Sequence, residues 1–258
     1  MADRVTLITG ASSGIGAELA RTFASNGHRT VLVARREDRL NQLADEIAAT
    51  GKIRPVTISC DLKLPGACDA IADKLSAMDA EVEIVVNNAG FGLFGNAFEM
   101  DRAKQLAMVD INVRVLTDLS LRFADSLIAH RGGLLNVGSI ASFLPGPRMA
   151  VYYATKAYVL SFTEAMRGEL GPKGVRVTAL CPGPVPTEFQ DRAGFEAGLD
   201  SAILNVSAGA VARAGYRGLK SNKRLVMPGV GVRMIPFLLR FAPRSMVLAL
   251  VARVQQKR

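Results

Sequence analysis

The sequence of 258 residues lacks tryptophan and contains only three cysteines, Cys60, Cys68 and Cys181. An odd number of cysteines, without CxxC or Cys/His spacing, excludes a disulfide scaffold and gives no metal-binding pattern. We therefore expect reduced thiols and a cytoplasmic location. The composition, 49% hydrophobic and 21% charged, also excludes an intrinsically disordered chain.

Long hydrophobic runs are also absent. The longest stretch without a charged residue, 132–147, contains an asparagine, two serines and two prolines. It falls short of the ~20 apolar residues that a membrane-spanning helix needs. The first residues lead directly into an apolar strand pattern without a signal-peptide core, so we expect no secretory leader.

Acidic residues are missing from position 201 onward, where 11 lysines and arginines occur. The first 200 residues hold the other 21 basic residues and all 23 acidic ones, a net charge of −2. A basic tail on a nearly neutral body favours an anionic partner: a phosphate-bearing ligand, an anionic membrane surface or a nucleic acid. No nucleic-acid-binding motif is recognisable, so we do not expect nucleic acid to be that partner.

Apolar runs alternate with helix-length segments such as Ala17–Ser25 and Arg36–Ala49. This alternation predicts one α/β domain over residues 1–258, with a parallel sheet covered by helices on both faces. The predicted strands are Val5–Thr9, His28–Ala34, Val56–Ser59, Val82–Asn87, Gly133–Val137 and Val175–Leu180.

Beyond Thr187 the alternation weakens. Pro236 and Pro243 should divide the segment 232–254 into at most two short helical pieces. The other predictions are a loop, a helix and a last strand, at Asp191–Leu199, Val206–Gly218 and Arg224–Met227.

A glycine-rich turn follows the first predicted strand and precedes a helix. Glycines allow close approach of a ligand to the backbone, and the helix N-terminus presents free N–H groups to a pyrophosphate. The GxxxGxG spacing differs from the Walker motif, and its strand–helix context favours a dinucleotide. The turn consists of Gly10, Ala11, Ser12, Ser13, Gly14, Ile15 and Gly16.

The end of the second strand indicates which dinucleotide binds. NAD-binding folds place a carboxylate at this point, whereas here the strand ends in Arg35 and Arg36. Guanidinium groups pair bidentately with phosphate, so these arginines predict NADP(H) rather than NAD(H). The alternative is that the charged run 35–39 is only the solvated start of a helix.

Tyr152 and Lys156 are four residues apart in a helical segment and therefore share one face. A lysine ammonium beside a phenol lowers the phenol pKa, and such a tyrosine serves as a general acid or base. Ser139 follows the end of the predicted strand Gly133–Val137. Taken alone, a tyrosine–lysine pair at this spacing is more often a chance surface pair.

Together these motifs resemble the short-chain dehydrogenase/reductase family. The resemblance spans about residues 3–190, and the glycine turn with YxxxK is specific in combination. It implies a Rossmann-like sheet of seven strands in the order 3-2-1-4-5-6-7, reversible hydride transfer with NAD(P), and a homodimer or homotetramer. The matching segments are Thr9–Gly16, Asn87–Gly90, Asn112, Ser139, Tyr152 with Lys156, and Pro182–Gly183 with Thr187.

The resemblance also implies roles for individual residues. Tyr152 would be the general acid/base, Lys156 would hold the nicotinamide ribose and lower the tyrosine pKa, and Ser139 would bind the substrate oxygen. Asn112 would anchor a water in a proton relay. The implied cofactor contacts are Asp61 and Leu62 at adenine, Asn88, Ala89 and Gly90 along the cofactor, and Pro182, Gly183 and Thr187 at the nicotinamide. Asp61 could instead be a helix N-cap, and Asn88 mainly a brace at the strand end.

The expected substrate pocket is apolar. Residues 188–220 are the expected substrate-binding loop and helix, including Phe195, and only Arg148 among the pocket segments could bind a carboxylate. We therefore expect a lipophilic ketone or aldehyde. The other pocket segments are Phe91–Phe94, Ala141–Leu144 and Pro184–Phe189.

The tail 229–258 is basic and apolar, and Arg233 and Arg240 share a helical face. Such a segment can lie on a membrane surface, or it can pack as a lid or a subunit contact.

The leading hypothesis is an NADP(H)-dependent carbonyl reductase. The alternatives are a 3-oxoacyl thioester reductase and a non-catalytic NADP(H)-binding regulatory protein.

Overall fold

A computed structural model describes residues 3–189, 206–239 and 241–256. Its centre is one parallel sheet in the order β3-β2-β1-β4-β5-β6-β7, which confirms the predicted fold class and strand order. The strands are β1 (Asp3–Thr9), β2 (Thr30–Ala34), β3 (Val56–Ser59), β4 (Ala80–Asn87), β5 (Gly133–Val137), β6 (Arg176–Leu180) and β7 (Leu225–Val226).

Helices connect the strands and continue beyond the sheet. A six-residue π-helical turn, Asp110–Val115, joins α4 to α5. The α-helices are α1 (Gly14–Ser25), α2 (Glu37–Ala49), α3 (Ala67–Ala77), α4 (Arg102–Val109), α5 (Leu116–Arg122), α6 (Ala124–Ala129), α7 (Ala150–Leu170), α8 (Ala208–Lys220), α9 (Val230–Leu239) and α10 (Arg244–Gln256).

The sheet is buried on both faces because its central strands are almost wholly apolar. One face packs against α1, α2 and α8, with Phe23 fully buried. The other face packs against α3, α5, α6 and α7, around Leu119 and Ile71. Burial on both faces explains why these strands appear in the sequence as continuous apolar runs.

All strand pairs are parallel, so their carboxyl ends meet at one edge of the sheet. In such sheets ligands bind at this edge, where the strand order reverses. Here the order reverses between β1 and β4. The loops after β1, β2, β4, β5 and β6 therefore determine the position of the site.

The C-terminal region contains the two expected helical pieces, but Pro236 does not separate them. Pro236 lies inside α9, whereas Pro243 directly precedes α10. A missing N–H group is tolerated at a helix start, so Pro243 marks a boundary without cost. None of the described helices is long and apolar enough to cross a membrane. Arg240, and residues 190–205 with Phe195, lie outside the described part of the chain.

Candidate active site

The glycine turn after β1 requires glycine at several positions. Gly10 and Gly14 have φ angles of +67° and +55°, where a side chain would be strained. A Cβ atom on Gly16 would clash with Gly10 O, so α1 packs closely on the turn. The remaining predicted residues of the turn, Ser12, Ser13 and Ile15, line the same cleft. The N-terminus of α1 therefore opens onto a ligand-sized space.

Asn88, after β4, braces this turn. Its Nδ2 donates to Thr9 O at 2.9 Å and to Gly10 O at 3.2 Å. Thr9 Oγ1 accepts hydrogen bonds from the N–H groups of Asn88 and Ala89. The Asn88 side chain thus holds two strand ends together, as the alternative interpretation of this residue expects. Asn88, Ala89 and Gly90 also line the cleft.

Asn112 lies in the π-helical turn and is 1% exposed. Its Oδ1 accepts from Phe91 N at 3.1 Å, and its Nδ2 donates to Phe91 O and Thr155 Oγ1, both at 3.0 Å. A Cβ atom on Gly90 would lie 2.9 Å from Asn112 Oδ1. The amide therefore fixes the loop after β4 against α7. π-Helical turns occur frequently at functional sites.

Tyr152, Lys156 and Ser139 meet at the carboxyl end of β5. The Ser139 side chain lies close enough to the Tyr152 hydroxyl to lower its pKa. Lys156 Nζ donates to Val137 O at 2.9 Å and lies 5.9 Å from the centroid of the Tyr152 ring. The predicted tyrosine, lysine and serine are therefore close together, and all three line the cleft.

The pKa of Tyr152 shifts opposite to the expected direction. Burial raises this pKa above its ordinary value, and the nearby Ser139 side chain lowers it only in part. Burial also lowers the pKa of Lys156 to about 8. The expectation of a lowered tyrosine pKa failed because the ammonium is held at Val137 O while the phenol is enclosed. At neutral pH the phenol is therefore protonated.

Two residues that the sequence analysis did not identify support Ser139. Ser142 Oγ accepts from Ser139 N at 3.3 Å, while Ser139 Oγ accepts from Ala141 N at 3.1 Å. Cys181 and Ser142 both lie beside Gly138, and burial raises the pKa of the Cys181 thiol to about 11. The spacing of Ser139 and Ser142 suits reciprocal capping and could have been noticed in the sequence. No sequence signal links Cys181 to this pair.

The two arginines after β2 differ in their surroundings. Arg35 is exposed, lines the cleft and has no carboxylate partner among the described residues. Arg36 donates to Ser12 Oγ at 3.1 Å and forms an ion pair with Glu188 Oε2 at 2.9 Å. Glu188 belongs to the predicted pocket segment Pro184–Phe189, but no sequence pattern pairs it with Arg36. Arg36 directly precedes α2, as the alternative of a helix start expects, but both arginines also line the cleft.

The other predicted cofactor contacts also line this cleft. Leu62 is buried, and Asp61 Oδ1 accepts from Lys63 N at 3.1 Å in a local turn. Because α3 begins only at Ala67, Asp61 is not its N-cap. Pro182, Gly183 and Thr187 form the opposite wall, and Thr187 Cγ2 lies 3.1 Å from a Cβ position on Gly14.

The far end of the cleft, beyond Tyr152, is apolar. Phe189 lies 5.5 Å from the Tyr152 ring, between ring centroids, and Phe91 and Met149 pack beside it. Arg148 stacks on Phe94 at 4.2 Å and donates to Gln255 O at 2.9 Å. The whole cleft has a volume of about 450 Å³. No described residue of α8 lines it, because α8 packs on α1 and the sheet.

Comparison with known proteins agrees with this geometry. The short chain dehydrogenase family profile matches residues 4–196. Sulfoacetaldehyde reductase 2 of Chromohalobacter salexigens is 38% identical over 188 residues, which cover 72% of this chain and 74% of that protein.

Two solved structures are similar over nearly the whole chain. A short-chain dehydrogenase from Sphingobium yanoikuyae in complex with NADPH is 30% identical, with a TM-score of 0.83, covering 95% of this chain and 94% of that one. The bulky-bulky ketone specific alcohol dehydrogenase from Comamonas testosteroni is 26% identical, with a TM-score of 0.76 and coverage of 93% and 95%. This chain belongs to the short chain dehydrogenase family, whose members are oxidoreductases acting on CH–OH and C=O groups.

Proposed function

We propose that this protein is an NADP(H)-dependent reductase of lipophilic ketones or aldehydes, and that Tyr152 is its general acid. The observation that carries the proposal is the convergence of the Tyr152 phenol, the Ser139 hydroxyl and the Lys156 ammonium in one cleft at the carboxyl end of β5. Two hydroxyl groups there can bind one carbonyl oxygen. Because burial keeps the phenol protonated at neutral pH, it can donate a proton to that oxygen.

Ser139 and Lys156 have separate roles in this mechanism. Ser139 donates a hydrogen bond to the substrate oxygen as negative charge develops there. Ser139 is held in place by two hydrogen bonds. Its N–H donates to Ser142 Oγ, and its Oγ accepts from Ala141 N. Lys156, whose pKa burial lowers to about 8, stays mainly protonated at neutral pH and contributes positive charge beside the reacting groups.

Asn112 is a positioning residue, and we propose that it also helps to return a proton to Tyr152. It holds the backbone of Phe91 and the Thr155 hydroxyl at the base of α7. This places the π-helical turn next to Lys156. We propose that a water bound at this turn links Lys156 to solvent and restores the proton that Tyr152 donates.

NADP(H) fits the residues that line the long part of the cleft. The free N-terminus of α1 suits a pyrophosphate, and Arg35 and Arg36 suit a 2′-phosphate. Asp61 and Leu62 line the cleft and would contact adenine, and Thr187 lies beside the glycine turn. The Sphingobium relative described as a complex with NADPH supports the same choice over NAD(H). When bound, the nicotinamide supplies the hydride.

A lipophilic substrate is supported by the apolar end of the cleft. Phe91, Met149 and Phe189 surround Tyr152 there. Arg148, the cation expected to meet an anionic substrate, is stacked on Phe94 and bonded to Gln255 O. This argues against sulfoacetaldehyde, although a relative is named for its reduction. The bulky-ketone specificity of the Comamonas relative points in the same direction.

The test is NADPH oxidation with a panel of bulky ketones and aldehydes, 3-oxoacyl thioesters and sulfoacetaldehyde. We expect the highest kcat/KM with bulky apolar carbonyl compounds. A clear preference for thioesters would support the 3-oxoacyl thioester reductase instead. Tight NADPH binding without oxidation of any compound would support a non-catalytic regulatory protein.

The surface suggests where larger partners bind. On α4 and α7, Leu106, Val109 and Tyr158 are exposed, and we propose that this face joins protomers of a homodimer or homotetramer. Light scattering of the wild type and Leu106→Glu tests it, with a smaller mass expected for the variant.

A cytoplasmic location stays a prediction.

The helices α9 and α10 present a second apolar surface, where Phe237 and Phe241 are 55% and 76% exposed. Arg233, Arg244 and Arg253 are exposed around it. We propose that this surface rests on an anionic membrane, where apolar side chains insert and arginines meet lipid phosphates. A peripheral location there would supply lipophilic substrates to the pocket.

A further inference from the structure

Arg36 connects two walls of the cofactor cleft that are distant in sequence. Its Nη2 donates to Ser12 Oγ at 3.1 Å and to Ser12 O at 3.3 Å, on the glycine turn. Its Nη1 donates to Glu188 Oε2 at 2.9 Å, on the segment that follows β6. Ser12, Arg36 and Glu188 all line the cleft. The ion pair thus links the two walls of the cleft at the end where the arginines lie.

This ion pair places a carboxylate where an anionic ligand would bind. A carboxylate and a 2′-phosphate are both anions that bind guanidinium groups through the same N–H donors. Arg36 cannot offer Nη1 fully to both, and two anions held at one guanidinium repel each other. Arg35, in contrast, has no carboxylate partner among the described residues and is exposed.

We propose that Glu188 is a specificity-determining residue that competes with the 2′-phosphate of NADP(H) for Arg36. This inference rests on the proposed preference for NADP(H). The phosphate binds first to Arg35 and gains Arg36 only by displacing Glu188. The carboxylate therefore reduces the affinity for NADP(H) and leaves the affinity for NAD(H), which has no 2′-phosphate, unchanged.

The test compares Glu188→Gln with the wild type by isothermal titration calorimetry, using NADP+, NAD+ and 2′-AMP as ligands. The substitution removes a partly exposed ion pair and, with it, the repulsion between the Glu188 carboxylate and the 2′-phosphate. NADP+ binding should therefore tighten about three- to tenfold. Binding of 2′-AMP should tighten similarly, because it carries the same phosphate. Affinity for NAD+ should stay within about twofold.

Two controls separate this competition from other effects. Glu37→Gln removes an exposed carboxylate next to Arg36 in the sequence, and it should change NADP+ affinity less than Glu188→Gln. In an Arg36→Gln background the effect of Glu188→Gln on NADP+ affinity should disappear, because the guanidinium for which carboxylate and phosphate compete is gone. A persisting effect in that background would overturn the proposal.

The outcomes distinguish this proposal from the proposed cofactor. A wild type that binds NAD+ more tightly than NADP+ contradicts the NADP(H) assignment, whatever Glu188→Gln does. Unchanged or weaker NADP+ binding by Glu188→Gln overturns the competition, even where the wild type prefers NADP+. An equal gain for NAD+ and NADP+ overturns it as well, since the 2′-phosphate would then not be involved.

Discussion

Residues 3–189 and residues 206–256 differ in how far they bury their apolar side chains. In the first region the apolar side chains are enclosed by the sheet and its helices, and the polar ones converge at the strand ends. In the second, α8 completes the core, but α9 and α10 leave large apolar side chains exposed among arginines. Most apolar side chains of the first region therefore pack within the fold, apart from the exposed face of α4 and α7, whereas the apolar surface of α9 and α10 is the one for which we propose a membrane as partner.

The described residues that line the cleft, among them Ser139, all lie in the first region, so we expect the carbonyl reduction to depend on that region. Ser139→Ala should lower kcat about 10²–10³-fold, because it removes a donor to the developing charge on the substrate oxygen. Affinity for NADPH should change little, since Ser139 faces the carbonyl. Stopped-flow NADPH oxidation combined with calorimetry separates these two quantities, and Ser221→Ala, at an exposed serine that follows α8, is the matched control. An unchanged kcat would remove Ser139 from the mechanism.

Cofactor choice is the next largest expected effect. Arg35→Asp should reduce the ratio of kcat/KM for NADPH over NADH by about 10²-fold, because a guanidinium is replaced by a repelling carboxylate. Arg39→Asp changes the charge equally at an exposed position on α2 and should have a smaller effect. A wild type that already prefers NADH would contradict the NADP(H) assignment.

The buried Lys156 should give a pH-dependent stability. Its pKa is about 8 in the folded protein and 10.5 when exposed, so the unfolded chain binds more protons between these values. Stability from this residue therefore rises with pH in that window. Relative to Lys156→Met, the wild type should gain about 2 kcal/mol of unfolding free energy from neutral pH to about pH 9.5. Urea denaturation at both pH values measures this, and parallel curves would contradict the burial of a charged lysine.

The smallest effect is expected from the second region. Phe237→Ser combined with Phe241→Ser should reduce flotation with phosphatidylserine vesicles several-fold, while kcat on a water-dissolved ketone stays unchanged. Phe98→Ser is the matched control, because Phe98 is 88% exposed but lies in the loop before α4. Equal flotation of all three proteins would exclude the membrane surface, and loss of kcat would place α9 in the chemistry.

The first region was predictable because its signals are local. Strand runs, the glycine turn and the four-residue spacing of Tyr152 and Lys156 depend on neighbours in sequence, and the family resemblance added the strand order. Pro236 shows the limit of such signals, since α9 continues through a residue that usually ends a helix.

Long-range contacts could not be predicted. Glu188 and Arg36 form an ion pair although they are 152 positions apart, and no sequence pattern around either residue predicts this pair. The pKa of Tyr152 rises because the folded chain encloses its ring, with Phe189 and Met149 among its neighbours. Sequence spacing revealed the ammonium nearby but not the desolvation that outweighs it.

The central claim is that the Tyr152 phenol donates the proton to the substrate carbonyl. Tyr152→Phe removes only the hydroxyl and keeps the ring that packs against Phe189. Single-turnover NADPH oxidation by this variant, with NADPH affinity measured in parallel, tests the claim most directly. The account predicts retained NADPH binding and a rate lowered by at least about 10²–10⁴-fold. A folded Tyr152→Phe protein that reduces the ketone at close to the wild-type rate would contradict it.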